Sequence, residues 1–370
     1  VLRAPARGAD RVKSGTRSAY MAWAKNRPAP EIDLAGSNLL ACSLAELPGA
    51  RDAVDLQGES PNGYPPLLDA IAAHAGVPAS HVATAGGCSG ANFLVCAAVL
   101  RPGDEVLAEW PGYDPLAAAA GMVGASVRFF ERRFDEAWRL DPDRIAAALT
   151  PATRLVIVSS PHNPSGVAAS PSTLAAIGRL AEKAGVHVLV DEVYADTVEG
   201  PAAPPAATLS PALISTNSLT KAYGLSALRC GWSIAAPSLT EAIRRARDVV
   251  DVSGAIPAER ISALAFQHLP ALARRAAGIL ARNRLAWSAF SGSRPELASV
   301  PADASIVFPR FADGRDASAF ARRLFERAGV AVAPGDFFGA PEHFRVALGG
   351  SAERLARGLD AIAREISVGS

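Results

Sequence analysis

The chain reads as an α/β fold: a large domain with a mostly parallel central sheet covered by helices on both faces, followed by a smaller α+β domain. Three observations carry this. Short, nearly continuous apolar runs alternate with amphipathic segments between Glu105 and Ala236, which is the pattern of strands buried on both faces and joined by helical crossovers. From about Glu241 to Phe290 the pattern turns long and helical, and a second set of short strands and helices then begins. At 370 residues the chain is long enough for two domains. The expected division is an N-terminal arm and small-domain segment over 1–55, a large domain over 56–290 and a small C-terminal domain over 291–370.

The elements follow in order. Candidate strands are EVLAEW (Glu105–Trp110), ASVRFFE (Ala125–Glu131), RLVIVSS (Arg154–Ser160), VHVLVDE (Val186–Glu192), LISTNS (Leu213–Ser218) and CGWSIAA (Cys230–Ala236). Helices separate most of them. In PSTLAAIGRLAEKAG, Ser170 and Pro171 have the types of an N-cap and a first helical residue. The second unit reads as a strand ASIVFPRF, a helix DASAFARRLFERAG, a short strand VAVAP, a strand HFRVALG and a last helix. In that helix Leu355, Leu359, Ile362 and Ile366 recur at spacings of four, three and four, one apolar stripe. No internal repeat is visible, and Pro201–Ala206 reads as a proline-rich surface loop.

Composition excludes several classes of function. Net charge is +1, with 49% hydrophobic and 20% charged residues, so no nucleic-acid or anionic-membrane partner is expected. The arginines are scattered among acids, as in EAIRRARD, and read as solvated helix faces. The cysteines, Cys42, Cys88, Cys96 and Cys230, form no CxxC pair and stand apart from clustered His. Neither a metal site nor a disulfide framework is expected, and a reducing cytoplasm fits better. The N-terminal VLRAPARGADRVKSG lacks the apolar core of a signal peptide, and the longest apolar run, near Phe93 to Leu100, is far too short to span a bilayer.

Chemistry-bearing residues cluster where strands end. RLVIVSS runs into PHNPSG, VHVLVDE into DEVY, and LISTNS into SLTK. In open α/β sheets, ligands bind beyond the carboxyl ends of the strands. Each piece alone is also ordinary structure: NPSG is turn chemistry, a strand-terminal Asp-Glu pair caps or solvates a strand end, and a lysine beside Ser and Thr is usually at the surface. The Gly-rich TAGGCSGAN, Thr84–Asn92, is either a tight turn or a helix N-terminus presenting N–H groups to a phosphate. Lys221 stands out because the chain has four lysines against thirty-three arginines. A lysine can shed its proton and act as a nucleophile, whereas an arginine cannot.

Taken together, the Gly-rich turn, the aromatic in PGY, NPSG, DEVY and S-x-x-K with an Arg eight residues on resemble the class I/II aminotransferases. These are the fold-type I enzymes that use pyridoxal 5′-phosphate. The separations are 28 residues from Asn163 to Asp191 and 30 from Asp191 to Lys221, and the likeness runs from roughly Asp33 to Arg345. The resemblance implies that Lys221 is the Schiff-base lysine and the base that moves the substrate Cα proton. It implies that Asp191 pairs with the ring nitrogen, that Asn163 and Tyr194 donate hydrogen bonds to the phenolic oxygen, and that Tyr113 stacks on the ring. The phosphate would be held by backbone N–H groups of Cys88 and Ser89, by Ser218 and by Arg229. Tyr64 resembles a tyrosine that reaches the phosphate of a neighbouring subunit, which implies a homodimer with shared active sites. Arg345 resembles the arginine that grips the substrate α-carboxylate, and Ser37 and Asn38 fall where the family lines the substrate pocket with backbone. His162 is assigned no role.

The implied activity is transfer of an amino group between an amino acid and a 2-oxo acid. A β-elimination lyase or cyclising synthase can use the same site, because fold and cofactor do not fix the reaction. A non-catalytic cofactor sensor is a third reading, disfavoured by the complete catalytic set and by the lack of a basic or helix-turn-helix segment before Ser18. Arg260 is the nearest candidate for a second, distal-carboxylate arginine and matches that position poorly, so strong aspartate specificity is not expected.

Overall fold

The computed structural model describes residues 17–368; the stretch VLRAPARGADRVKSG and the first part of the 1–55 segment lie outside the described residues. The first helix, α1 (Ala19–Asn26), is started by Ser18, whose side chain accepts from the Met21 N–H. The centre of the molecule is a seven-stranded sheet. In chain order its elements are β1 (Val82–Gly86), α2 (Gly87–Val99), β2 (Glu105–Trp110), α3 (Asp114–Met122), β3 (Ser126–Glu131), β4 (Thr153–Ser159), α4 (Pro171–Ala184), β5 (His187–Asp191), β6 (Leu213–Ser218), α5 (Thr220–Tyr223) and β7 (Cys230–Ile234). The spatial order is β1-β7-β6-β5-β4-β2-β3. Only β7 runs against the rest, pairing antiparallel with both β1 and β6; every other neighbouring pair is parallel.

Burial explains why these runs are strands covered on both sides. In β4, Leu155 and Ile157 pack with Leu94, Val95 and Leu116 on one face. Val156 and Val158 pack with Ile145, Leu174 and Ile177 on the other. Alternate residues point to opposite faces, so a run apolar at every position needs helices on both. Each such side chain contributes about 1.5–3 kcal/mol when fully buried. Among the crossovers, α4 is bounded as its sequence suggests: the Ser170 side chain accepts from the Thr173 N–H at 3.1 Å, Pro171 opens the first turn, and Gly185 closes the helix in the left-handed region at φ 66°.

Segments from the two ends of the described chain build a smaller unit. Ile32–Asp33 pairs in parallel with Val330–Ala331, so the N-terminal segment joins the C-terminal unit. Phe344–Ala347 lies between Ile306–Val307 and Ala333–Pro334. ASIVFPRF, expected as one strand, is two pieces: Arg310–Phe311 pairs instead with Leu297–Ala298. Pro309 separates them because it has no N–H for the ladder, while its carbonyl still accepts from the Phe344 N–H. VAVAP likewise divides between two partners. The long helical stretch is three helices, Pro237–Val250, Ile256–Gln267 and Leu269–Gly292. Among the described residues no helix is long and apolar enough to cross a membrane.

Candidate active site

The strand ends β4, β5 and β6 and the start of α2 meet around a cavity of about 620 Å³. Asn163, Asp191, Tyr194, Ser218, Lys221 and Arg229 all line it, as do Ser37, Asn38, Cys88, Ser89 and Tyr113. Residues spread over some 190 positions of sequence are brought together because a parallel sheet puts all its carboxyl ends on one edge.

Lys221 sits on the single turn α5 and is half-buried. Its Nζ donates to Ser37 Oγ at 3.0 Å and to Asn38 Oδ1 at 2.7 Å. The segment carrying those acceptors is pinned by its backbone: the Leu39 N–H donates to the Lys221 carbonyl, the Leu40 N–H to Gly349 and the Cys42 N–H to Gly224. Ser37 and Asn38 therefore present side chains to the lysine, where the sequence suggested only backbone. The surrounding protein strips water from the amine and, with the Arg345 charge next in importance, pushes its pKa down to about 8. Tyr194, fully buried, donates its hydroxyl to Ser37 Oγ at 2.8 Å. Burial pushes that phenol up to about 12, so it stays a donor at neutral pH.

Asp191 ends β5 and is buried. Its carboxylate accepts from the Val193 N–H at 3.0 Å, from Asn92 Nδ2 at 2.8 Å and from the Cys88 thiol at 3.4 Å. Burial raises its pKa while these three donors and the Lys221 charge act in the opposite sense. The Cys88 thiol is itself pushed well up, by burial first and the Asp191 charge second, so it remains S–H and is not a reactive thiolate.

At the other end of the cavity, Gly87, Cys88 and Ser89 form the first turn of α2, where backbone N–H groups have no helical acceptor. Arg229 lies over this turn, with Nη2 donating to the Gly86 carbonyl at 3.1 Å. The approach requires glycine twice. A Cβ on Gly87, whose φ is +79°, would stand 2.2 Å from Arg229 Nη2, and one on Gly231 would stand 2.2 Å from the Gly87 carbonyl carbon. Free N–H groups, an exposed guanidinium and the Ser218 hydroxyl are a donor set for a dianion. With the Asp191 carboxyl group and the Lys221 amine lining the same cavity, the residues fit pyridoxal 5′-phosphate.

Arg345 is placed differently from the others. It is fully buried, one hydrogen bond behind the cavity wall: Nη1 donates to Asn163 Oδ1 at 2.7 Å, and Nη2 to Tyr20 Oη at 2.6 Å and the Ala35 carbonyl at 2.9 Å. Its Nε is buried without an acceptor. Tyr20 was not legible as a site residue. It comes with α1, which Asp114 holds over the cavity through Ser18 Oγ at 2.8 Å and the Tyr20 N–H at 3.2 Å, and Tyr20 meets Tyr113 edge-on at 5.6 Å. Asn92 was also missed, although it ends the quoted Gly-rich stretch; its signal is a polar residue four positions after Cys88 on an otherwise apolar helix.

Three residues singled out from sequence stand apart. Tyr64 precedes the helix Pro65–Ala75, does not line this cavity, and has the Arg260 guanidinium 6.0 Å above its ring. Arg260 donates to the Ala53 carbonyl and lies 3.9 Å from Asp55. His162 is buried between Ser165 Oγ and the Pro111 carbonyl, and burial holds its pKa well below the usual range; it is a neutral structural residue.

Comparison with known proteins identifies the family. Residues 46–362 match the model of the family "Aminotransferase class I and II". Capreomycidine synthase of Streptomyces vinaceus is 35% identical over 81% of this chain and 78% of that protein. An aromatic amino acid aminotransferase of Thermobifida fusca is 32% identical over 82% of each. The crystal structure of a PLP-dependent cyclase, OrfR, superposes with a TM-score of 0.86 at 26% identity, covering 99% of this chain and all of that one.

Proposed function

The chain belongs to the class I and II aminotransferase family, whose members depend on pyridoxal 5′-phosphate, and from that premise we propose that it moves an amino group between an L-amino acid and a 2-oxo acid. The observation that carries the reading is Lys221. It follows a strand that ends at the cavity, its pKa is pushed down to about 8, and it shares the cavity with Asp191, Asn163, Tyr194 and Arg229.

When bound, the cofactor supplies an electron sink for the pair left when the substrate Cα loses its proton. The chain's own residues do the rest. Lys221 Nζ would hold the cofactor at its aldehyde carbon and, as a neutral amine, would take the substrate Cα proton. Asp191 would pair with the ring nitrogen, Asn163 and Tyr194 would donate to the phenolic oxygen, and Tyr113 would cover the ring. Arg229, Ser218 and the first-turn N–H groups of Cys88 and Ser89 would hold the phosphate. Arg345 takes the α-carboxylate through its fork of donors and so orients the Cα–H bond, while α1 screens the reacting atoms from water.

A second reading has a specific observation in its favour. The relatives include a capreomycidine synthase and a PLP-dependent cyclase, so the same Lys221 base would serve a cyclising synthase or an elimination lyase acting on an amino acid with a leaving group at Cβ. Single-turnover reactions with a panel of amino acids separate the two. Transamination yields one 2-oxo acid per site, with the amino group retained on the cofactor. Ammonia release or a ring-closed product, with the cofactor returned unchanged, overturns it.

We also infer that two copies assemble into a dimer with shared active sites. Tyr64 lies outside its own chain's cavity, and Leu44, Val54, Leu56, Val249 and Val252 are exposed. Sedimentation measures this directly, and a monomer at working concentration refutes it. A reducing compartment, the cytoplasm, suits the four free cysteines.

A further inference from the structure

We propose that Asn92 is a positioning residue that holds the Asp191 carboxylate as an aimed anion for the cofactor ring nitrogen, and that Thr216 sets the orientation of Asn92. The inference rests on the reading of Asp191 given above. It starts from an anomaly: α2 is small and apolar on its inner side, with Ala91, Leu94, Val95 and Cys96 all buried, yet Asn92 is buried among them at 4% exposure.

Its amide is fully committed. Asn92 Nδ2 donates to Asp191 Oδ2 at 2.8 Å, and Asn92 Oδ1 accepts from Thr216 Oγ1 at 2.6 Å. The orientation follows from chemistry. An ionised carboxylate can only accept, so the amide must turn its NH₂ to Asp191 and its oxygen to Thr216; the reverse would set oxygen against oxygen at 2.8 Å. Thr216 stands opposite Asp191 in the register of β6 and β5, so the sheet itself spaces the three groups. One turn earlier on α2, Cys88 donates its S–H to the other carboxylate oxygen, beside the Val193 N–H.

The consequence is electrostatic. A carboxyl buried this deeply favours its neutral form. A neutral acid cannot pair with a protonated ring nitrogen, and each donor to the anion opposes that loss. Among the described residues Asn92 supplies the only side-chain N–H among the donors to Asp191, at the shortest distance. Removing it moves the shared proton from the ring nitrogen toward Asp191 and weakens the ring as an electron sink. Cofactor capture, which depends on the backbone N–H groups and Arg229 of the phosphate cradle and on Lys221, is affected little.

The test is ¹⁵N NMR of the holoenzyme loaded with cofactor labelled at the ring nitrogen, beside steady-state kinetics. Wild type is expected to show a protonated ring nitrogen. Asn92→Leu is expected to shift the resonance toward the unprotonated position and to lower kcat by about 10- to 100-fold with KM for the amino acid little changed, as loss of one charge-assisted donor implies. Thr216→Val, a milder change that frees the amide to turn, shifts the signal in the same direction by less, and Thr216→Ser restores it. If wild type is protonated and both Asn92→Leu and Thr216→Val keep its resonance and kcat, the role of Asn92 is refuted while that of Asp191 stands. If the wild-type ring nitrogen is unprotonated, the reading of Asp191 itself fails.

Discussion

Replacing Gly87 by alanine tests the phosphate cradle without touching a polar group. Gly87 has φ +79°, and an added Cβ would lie 2.2 Å from Arg229 Nη2 and 2.7 Å from Cζ. Two costs follow. The left-handed backbone disfavours alanine by about 1–2 kcal/mol, which for a chain of this length lowers Tm by roughly 1–3 °C. The guanidinium can swing aside, so the clash costs the apo fold little. It then loses its bond to the Gly86 carbonyl and leaves the mouth of the α2 first turn. One charge-assisted contact to the phosphate is worth about 1.5–3 kcal/mol, or roughly 10- to 150-fold in cofactor affinity. The assay is equilibrium titration of apoprotein with pyridoxal 5′-phosphate, beside thermal unfolding of the apoprotein. Gly90→Ala is the control: its Cβ would meet nothing closer than 3.6 Å, and alanine inside a helix gains about 0.5–1 kcal/mol over glycine. Cofactor affinity within twofold of wild type in Gly87→Ala would refute the cradle.

Lys221→Ala should abolish turnover while cofactor still binds non-covalently; retained activity in a cofactor-loaded sample would sink the assignment of the base. Arg345→Lys keeps the charge and loses the fork, so KM for the amino acid should rise about 10-fold or more with cofactor affinity within twofold, and equal losses in both would mean Arg345 is structural. The rate of covalent attachment of cofactor to the apoprotein should rise about tenfold per pH unit up to a plateau above pH 8, because only the neutral Lys221 amine attacks and its pKa lies at about 8; a profile still rising at pH 10 would place the amine at its ordinary value. The same shift has a stability sign. The unfolded chain holds that proton up to about 10.5 and the folded chain releases it at about 8, so wild-type apoprotein should gain stability relative to Lys221→Met as pH rises from 8 to 10, read as a growing difference in Tm, and a flat difference would contradict it.

Much of this site could be read before the fold was known, for identifiable reasons. Asn163, Asp191, Ser218 and Lys221 each follow an apolar strand, and strand ends in a parallel sheet converge whatever the intervening helices do. That Gly87 must be glycine because the Arg229 guanidinium comes close was not readable, since the two meet only through the fold. Tyr20 and Asn92 were not readable this way. Tyr20 reaches Arg345 across 325 positions, through a helix whose attachment to Asp114 leaves no periodic trace. Asn92 looks like an ordinary polar residue in a Gly-rich turn until Asp191 and Thr216 are seen on either side of it. The split of ASIVFPRF at Pro309 was legible in principle, since proline removes a ladder donor, but which strand each half joins was not.

The sequence by itself determined the layered α/β arrangement, the carboxyl-edge location of the site and the division of labour between a lysine that can lose its proton and arginines that cannot. These rest on local chemistry: strand and helix periods, turn residues and ionisation. The tertiary structure alone decided that Ser37 and Asn38 hold Lys221 through side chains, that Arg345 waits behind Asn163 and Tyr20, and that Asn92 and Thr216 secure Asp191. Those contacts depend on register and packing between elements far apart in the chain, where one residue of slip would turn every side chain to the opposite face.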